Sequence, residues 1–263
     1  MREIRTIIRK EWEDTLHNKL ILSMLILVPV LMTAIPIGML IAAKYGPVKA
    51  SDMQEMSRML ANPIYASMSP QEAFQSLMSS QMMMLFLMMP LILPVTIAAY
   101  SIVGEKLTRS LEPLLATPIT TMQLLLAKSY ASAAPAVGLT WVCFAIFLVC
   151  ARIFAVSDRV FAFFANPMWL IVMLLLVPLL TIMAVMVGII VSSRVNDPRA
   201  AEQLGALVVI PFMGFFFAVL GGLIFLNATT FAIATLVVAI LDVGLVYLGV
   251  GLFQRETILT RWK

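Results

Sequence analysis

The sequence predicts an all-α polytopic membrane protein with six transmembrane helices, preceded by an amphipathic helix. Three observations predict it. Of 263 residues, 62% are hydrophobic and only 12% are charged, about half the charge that a soluble domain uses to cover its surface. Mean hydropathy is +1.00. The apolar residues gather into six runs, at 20–43, 82–103, 129–151, 167–192, 204–226 and 231–253. Each is long enough for the roughly 20 helical residues that cross a hydrocarbon core of about 30 Å. With no water in that core, every backbone polar group must be paired within the segment, so the runs are read as helices.

Taken in order, residues 1–19 carry Ile4, Ile7, Ile8, Trp12 and Leu16 at helical spacing, with Arg2, Arg5, Arg9 and Glu13 among the residues of the opposite face. Such a helix suits the headgroup boundary of a bilayer or a protein partner. The first apolar run is too long for a signal-peptide core, and four acidic residues precede it, so it is expected to remain in the mature protein. Residues 20–263 then form the six-span body. Pro29 and Pro36, Pro90 and Pro94, Pro135, Pro178, and Pro211 fall within five of the runs and predict kinks.

The largest outer loop, 44–81, has Ser51 with Gln54, and Ser69 with Glu72 after Pro70. Both pairs resemble capping boxes. They predict one short outer helix ending near Asn62-Pro63 and a second beginning near Pro70 and leading into the second span. Methionines are dense here, including Met53, Met56, Met59, Met68, Met78 and Met82 to Met84. Without a Cys or His beside them, they are read as filling for irregular apolar gaps rather than as a copper site.

Orientation follows from the cations. Thirteen of the eighteen Lys and Arg residues lie on the side that holds both termini, the 104–128 loop and the 194–203 loop. The positive-inside rule makes that side cytoplasmic, in a multi-pass protein of the cell membrane. The net charge of +4 reports this orientation, not a nucleic-acid partner. Cys143 and Cys150 are about 10 Å apart along one helix, too far for a disulfide.

The 104–128 connection mixes charges with Leu111, Leu114 and Leu115 before Thr117 and Pro118 break it, and Thr120 or Thr121 is placed to cap the next helix. Apolar residues on a cytoplasmic loop need a cover of lipid or protein. The run Glu105-x-x-x-Arg109-Ser110-Leu111-Glu112-Pro113-Leu114-Leu115-Ala116-Thr117-Pro118 resembles the signature of type-2 ATP-binding cassette (ABC) transporter permeases. It is most similar to the branch that includes sodium- and drug-efflux members. The resemblance extends to the Lys10-Glu11 pair in a charged N-terminus and to the six-span layout. Arg109-Ser110 stands where Gly-Thr is common, and the large outer domain of some relatives is missing.

The resemblance implies a cytoplasmic coupling helix seated on an ABC ATPase, formed or supported by Glu105, Leu111, Glu112, Leu114, Leu115, Thr117 and Pro118. The 194–203 loop is a second candidate contact. The resemblance further implies a dimer with a second permease copy or homologue, and export as the direction of transport. No G-x-x-x-x-G-K-[ST] phosphate loop occurs in the chain, so ATP and Mg are expected on the partner ATPase and no cofactor on this chain. The chain is therefore expected to be a transport subunit, not an enzyme.

Asp242 is the only ionisable residue inside the six predicted runs. A mid-membrane carboxylate is costly and marks a translocation-path candidate, or a polar lock between helices. It also leaves open an ion-coupled secondary transporter, although such proteins usually carry several midplane charges or broken helices. An intramembrane hydrolase would need a His cluster or paired catalytic groups, and the single histidine, His17, precedes the first span.

Overall fold

Hydropathy alone orders the molecule, and the computed structural model, which describes residues 2–47, 65, 67–107 and 121–252, is helical with no strand among them. Helix α1 spans Arg2–His17. Span 1 is α2, Lys19–Tyr45. Span 2 joins α3 (Pro70–Met83), a 3₁₀ turn (Met84–Leu87) and α4 (Met89–Leu107). Span 3 is α5, Thr121–Phe154, followed by the short α6, Asp158–Phe164. Span 4 joins α7 (Pro167–Ile171), a π turn (Val172–Leu176) and α8 (Val177–Arg194). Span 5 joins α9 (Pro198–Gly205), a 3₁₀ turn (Ala206–Val208) and α10 (Val209–Leu220), and span 6 is α11, Ala228–Leu252. Six helical stretches are therefore long and apolar enough to cross a membrane.

Span 2 is the centre. Its most apolar window is 89% buried, against 17% for span 5 and 11% for span 6. Spans 1, 3 and 4 pack around it, with α4 against α8 the most extensive contact. In lipid there is little hydrophobic drive between helices, so close packing and polar contacts must hold them. Small residues supply the closest approach. A Cβ on Gly188 of α8 would lie 3.1 Å from Ala98 Cβ of α4, and one on Gly205 of α9 would lie 2.5 Å from Val95 Cγ1. Spans 2, 4 and 5 therefore cross at one point. Gly205→Val is expected to destabilise by about 1–3 kcal/mol through overpacking. Gly214→Val serves as control, because a Cβ there meets nothing within 4 Å. Equal thermal unfolding of the two variants in detergent would remove the crossing from the account.

The prolines divide into two groups. Pro29, Pro36, Pro94 and Pro135 lie inside continuous helices. Pro90, Pro178 and Pro211 each follow closely on a non-α turn in spans 2, 4 and 5. At span 4 the reason is visible. The Val177 N–H is used by Val172 O in the π turn, and Pro178 has no N–H, so Met173 O loses its helical donor. The Trp141 indole of span 3 donates to that carbonyl at 2.8 Å. A similar exchange of partners closes span 5 early. Gly222 takes φ 69, and Leu223 N and Gly222 N donate to Ala218 O and Val219 O, a Schellman stop. The helix thus ends at Leu220 rather than at the expected 226.

At the start of span 2 the Ser69 and Glu72 capping box forms as expected, with Pro70 in the first turn. The expected first outer helix near residues 51–62 lies outside the described residues. Met83 and Met84 are fully buried in the core, in keeping with their reading as gap fillers. Both cysteines are free.

Candidate functional site: a buried charge cluster at the root of the 104–128 loop

The C-terminal end of α4 is the point where the chain enters the 104–128 loop, and α5 is where it returns. Glu105 on α4 and Lys128 on α5 meet there, with Lys128 Nζ 2.8 Å from Glu105 Oε2. Lys128 also lies 2.6 Å from Glu11 Oε1 of α1, and both of those side chains are only about one-twentieth exposed. The Ser101 hydroxyl, one turn before Glu105, donates to Glu11 Oε2 at 2.6 Å, and Lys128 donates to Ser101 Oγ at 2.8 Å. Lys10 completes the set from the rim, 3.1 Å from Glu105 Oε1. Burial works against the Lys10 ammonium, but the Glu105 carboxylate, joined by Glu11 and Asp14, outweighs it and holds the group above its ordinary value. Two lysines and two glutamates thus balance one another, which is what permits ions to sit buried.

The N-terminal helix is placed for this by its own pattern. Ile7 packs with Leu124 and Ala127 of α5, flanked by Ile4 and Ile8, and the Trp12 indole donates to Ala131 O at 3.0 Å. Trp12 and Leu16 keep exposed surface. Part of the apolar face expected at a headgroup boundary is therefore covered by span 3.

The other side of α4 grips the connection between spans 4 and 5. Lys106 Nζ donates to the carbonyls of Ser192, Ser193 and Val195 at 2.7, 2.8 and 3.2 Å. It thereby satisfies the open C-terminal carbonyls of α8. Thr96 donates to Glu202 of α9 at 2.9 Å, and Asp197 caps α9 through Arg199 N and Ala200 N. The C-terminal half of span 2 is therefore held on one side by α1 and span 3, and on the other by spans 4 and 5.

Of the residues expected on sequence grounds, Glu105 lies in the cluster. Leu111, Glu112, Leu114, Leu115, Thr117 and Pro118 fall outside the described residues. Asp242 is remote from the cluster, on the face of α11 turned toward span 4. It is buried, and neither carboxylate oxygen has a hydrogen-bond partner. Sequence reasoning used Lys128 only to assign orientation and passed over Ser101 and Glu202. The one usable signal was the Lys10-Glu11 pair.

A family model described as ABC-2 family transporter protein matches residues 5–253. No individual curated protein matches the chain. With the match running from the N-terminal helix through span 6, the chain belongs to the ABC-2 family of transporter proteins and is a multi-pass membrane permease subunit of that type.

Proposed function

We propose that the chain is the transmembrane half of an ABC exporter of the cell membrane, with both termini in the cytoplasm. In this reading it works as a pair with a second permease copy or homologue and is driven by two cytoplasmic ABC ATPases that bind the ATP and Mg. The observation that carries the reading is the buried cluster at the root of the 104–128 loop. A coupling element must pass a push from a soluble motor into the membrane without yielding where it enters. Glu105 and Lys128 stand at the two ends of the loop and pair with each other, and the bonds of Lys128 to Glu11 and Ser101 join the ends of spans 2 and 3 and helix α1 into one unit. Motion of the loop then moves all three, and Lys106 and Glu202 carry it onward to spans 4 and 5. ATP drives alternation because it binds one ATPase arrangement better than the other. The permease supplies the route and performs no covalent chemistry.

Leu111, Glu112, Leu114, Leu115, Thr117 and Pro118 are assigned to the ATPase contact itself, with the exposed Trp12 and Leu16 placing α1 at the headgroup level. The test is co-purification with the cognate ATPase. Glu112→Lys, or Leu114→Asp with Leu115→Asp, is expected to reduce ATPase capture by at least about tenfold, since charges placed in a desolvated hot spot cost 2 kcal/mol or more. Undiminished capture, or external labelling of a cysteine placed between residues 108 and 118, would refute the assignment. Transport at full rate without any ATPase would instead favour the ion-coupled reading centred on Asp242.

A further inference from the structure

The seam between spans 4 and 6 holds a group that neither the fold nor the coupling reading uses. Two contacts set its register. At the outer end the Trp169 and Phe231 rings lie 5.3 Å apart. At the inner end a Cβ on Gly249 would lie 3.3 Å from Met186 Sδ. The intervals between these anchors are nearly equal on the two helices, so α11 runs parallel to span 4. Asp242 then falls at about the level of Leu179 to Thr181, some 20 Å along α11 from its outer end at 1.5 Å per residue. It is 5% exposed, and both carboxylate oxygens are without a partner. The Thr181 hydroxyl, at the same level of span 4, is donated to Val177 O.

The charged groups on the elements around it are otherwise engaged. On span 2, Glu105 and Lys106 belong to the inner networks, as does Lys128 on span 3. Arg152 of span 3 pairs with Asp158 at the outer end. Arg194 closes span 4 on the exposed inner surface. On α11 itself Tyr247 points away, 82% exposed. Among span 2 and span 3 tyrosines, Tyr100 lies beside Arg199 and Glu202, and Tyr130 is exposed. No cation on the described residues pairs with Asp242. A metal ion is a poor occupant, because it needs several oxygen ligands, and the described residues contain no group of three His, Cys, Asp or Glu side chains able to hold one.

We propose that Asp242 is a proton-binding site, and that the bound proton holds span 6 against span 4. As the neutral acid, Asp242 sits in the apolar seam without an unbalanced charge. When the O–H bond breaks, the proton passes to water and the carboxylate is left where an isolated charge is costly. It is relieved only if span 6 swings out or a cationic group enters. The seam thus opens on proton release and closes on proton uptake. This goes beyond the coupling reading and holds with or without an ATPase.

The test uses the full chain in lipid nanodiscs with Cys143→Ala and Cys150→Ala as background. Met186→Cys and Gly249→Cys place thiols across the seam, and copper-phenanthroline cross-linking is followed from pH about 5 to about 9. Cross-linking yield is expected to fall at least about threefold toward alkaline pH, as a shift in a two-state equilibrium. It is expected to stay high when Asp242→Asn supplies a permanently neutral side chain in the same background. In parallel, dicyclohexylcarbodiimide, which reacts with protonated carboxyl groups in apolar surroundings, is expected to label Asp242 of the wild-type chain at acidic pH and to lose that label at alkaline pH. Parallel cross-linking profiles for the Asp and Asn chains, or an Asp242 that takes no label at acidic pH, would overturn the proposal.

Discussion

Lys128→Ala is expected to destabilise the protein by about 3–5 kcal/mol, because it leaves two buried carboxylates with too little positive charge to balance them. Glu11 and Glu105 both lean on this one ammonium, at 2.6 and 2.8 Å. The remaining cation, Lys10, is 45% exposed and reaches only Glu105. The comparison is Arg9→Ala, which removes the exposed Arg9–Glu13 pair and is expected to change stability by about 0.3–0.5 kcal/mol. A second comparison separates charge imbalance from lost packing. Lys128→Met with Glu11→Gln removes one charge of each sign, so the double variant should regain much of what the single variant loses. Unfolding in detergent reads the stability, and protease release of the N-terminal segment reads whether α1 still docks. If Lys128→Ala and Arg9→Ala unfold alike, the cluster does not hold the inner ends together, and the force path drawn through it fails with it.

That cluster also marks where the sequence stops being readable. The six spans follow from hydropathy because membrane helices answer to a single local requirement, an apolar run long enough to cross. The Ser69 and Glu72 capping box was equally legible, since both partners lie within one helical turn. Lys128 was not. Its partners are 117 and 27 residues away at Glu11 and Ser101, and nothing local distinguishes a lysine that ends a span from one that is buried against a folded-back N-terminus. The helix of span 3 begins at Thr121, in agreement with the expected cap at Thr120 or Thr121, whereas the apolar run alone placed the start of the span eight residues later, after Lys128. The charge that suggested a boundary is neutralised by another helix. The prolines show the same limit in another form. All seven positions could be read, but whether a proline bends a helix or interrupts it depends on who satisfies the freed carbonyl, and at Met173 that donor is Trp141 from a different span. The helix stop at Gly221-Gly222 was available in the sequence. The apolar residues from Leu223 to Leu226 concealed it, because hydropathy reports membrane affinity and not backbone conformation.

Gln75→Leu is expected to be as damaging at its end of the spans as Lys128→Ala is at the opposite end, with a loss of about 3–5 kcal/mol. Phe154 O and Val156 N would each lose a partner at about 1–3 kcal/mol, and Leu40 O would lose its second donor. Gln75 is fully buried on α3. Its amide donates to Leu40 O of span 1 at 2.9 Å and to Phe154 O of span 3 at 3.0 Å. Its carbonyl accepts from Val156 N at 2.8 Å. Helix ends leave carbonyls open, and one glutamine answers that of Phe154 at the end of span 3, pairs with the loop that follows it, and reaches Leu40 O inside span 1. Around it Gln71 donates to Ala43 O at 2.6 Å, and Lys44 donates to Ile153 O and Ala155 O at 3.2 and 3.4 Å. Gln71→Leu is the matched control. It removes a single bond from a half-buried site, so it is expected to lose no more than about 1 kcal/mol. The ratio between the two variants in a common unfolding assay is the deciding measurement, because a general intolerance of leucine on this helix would affect both alike. A large, selective loss at Gln75 means that these ends of spans 1, 2 and 3 are fastened as one piece. With the opposite ends of spans 2 and 3 fastened at Lys128 and span 4 packed closely on span 2, span 6 and its seam at Asp242 are the least held part of the molecule.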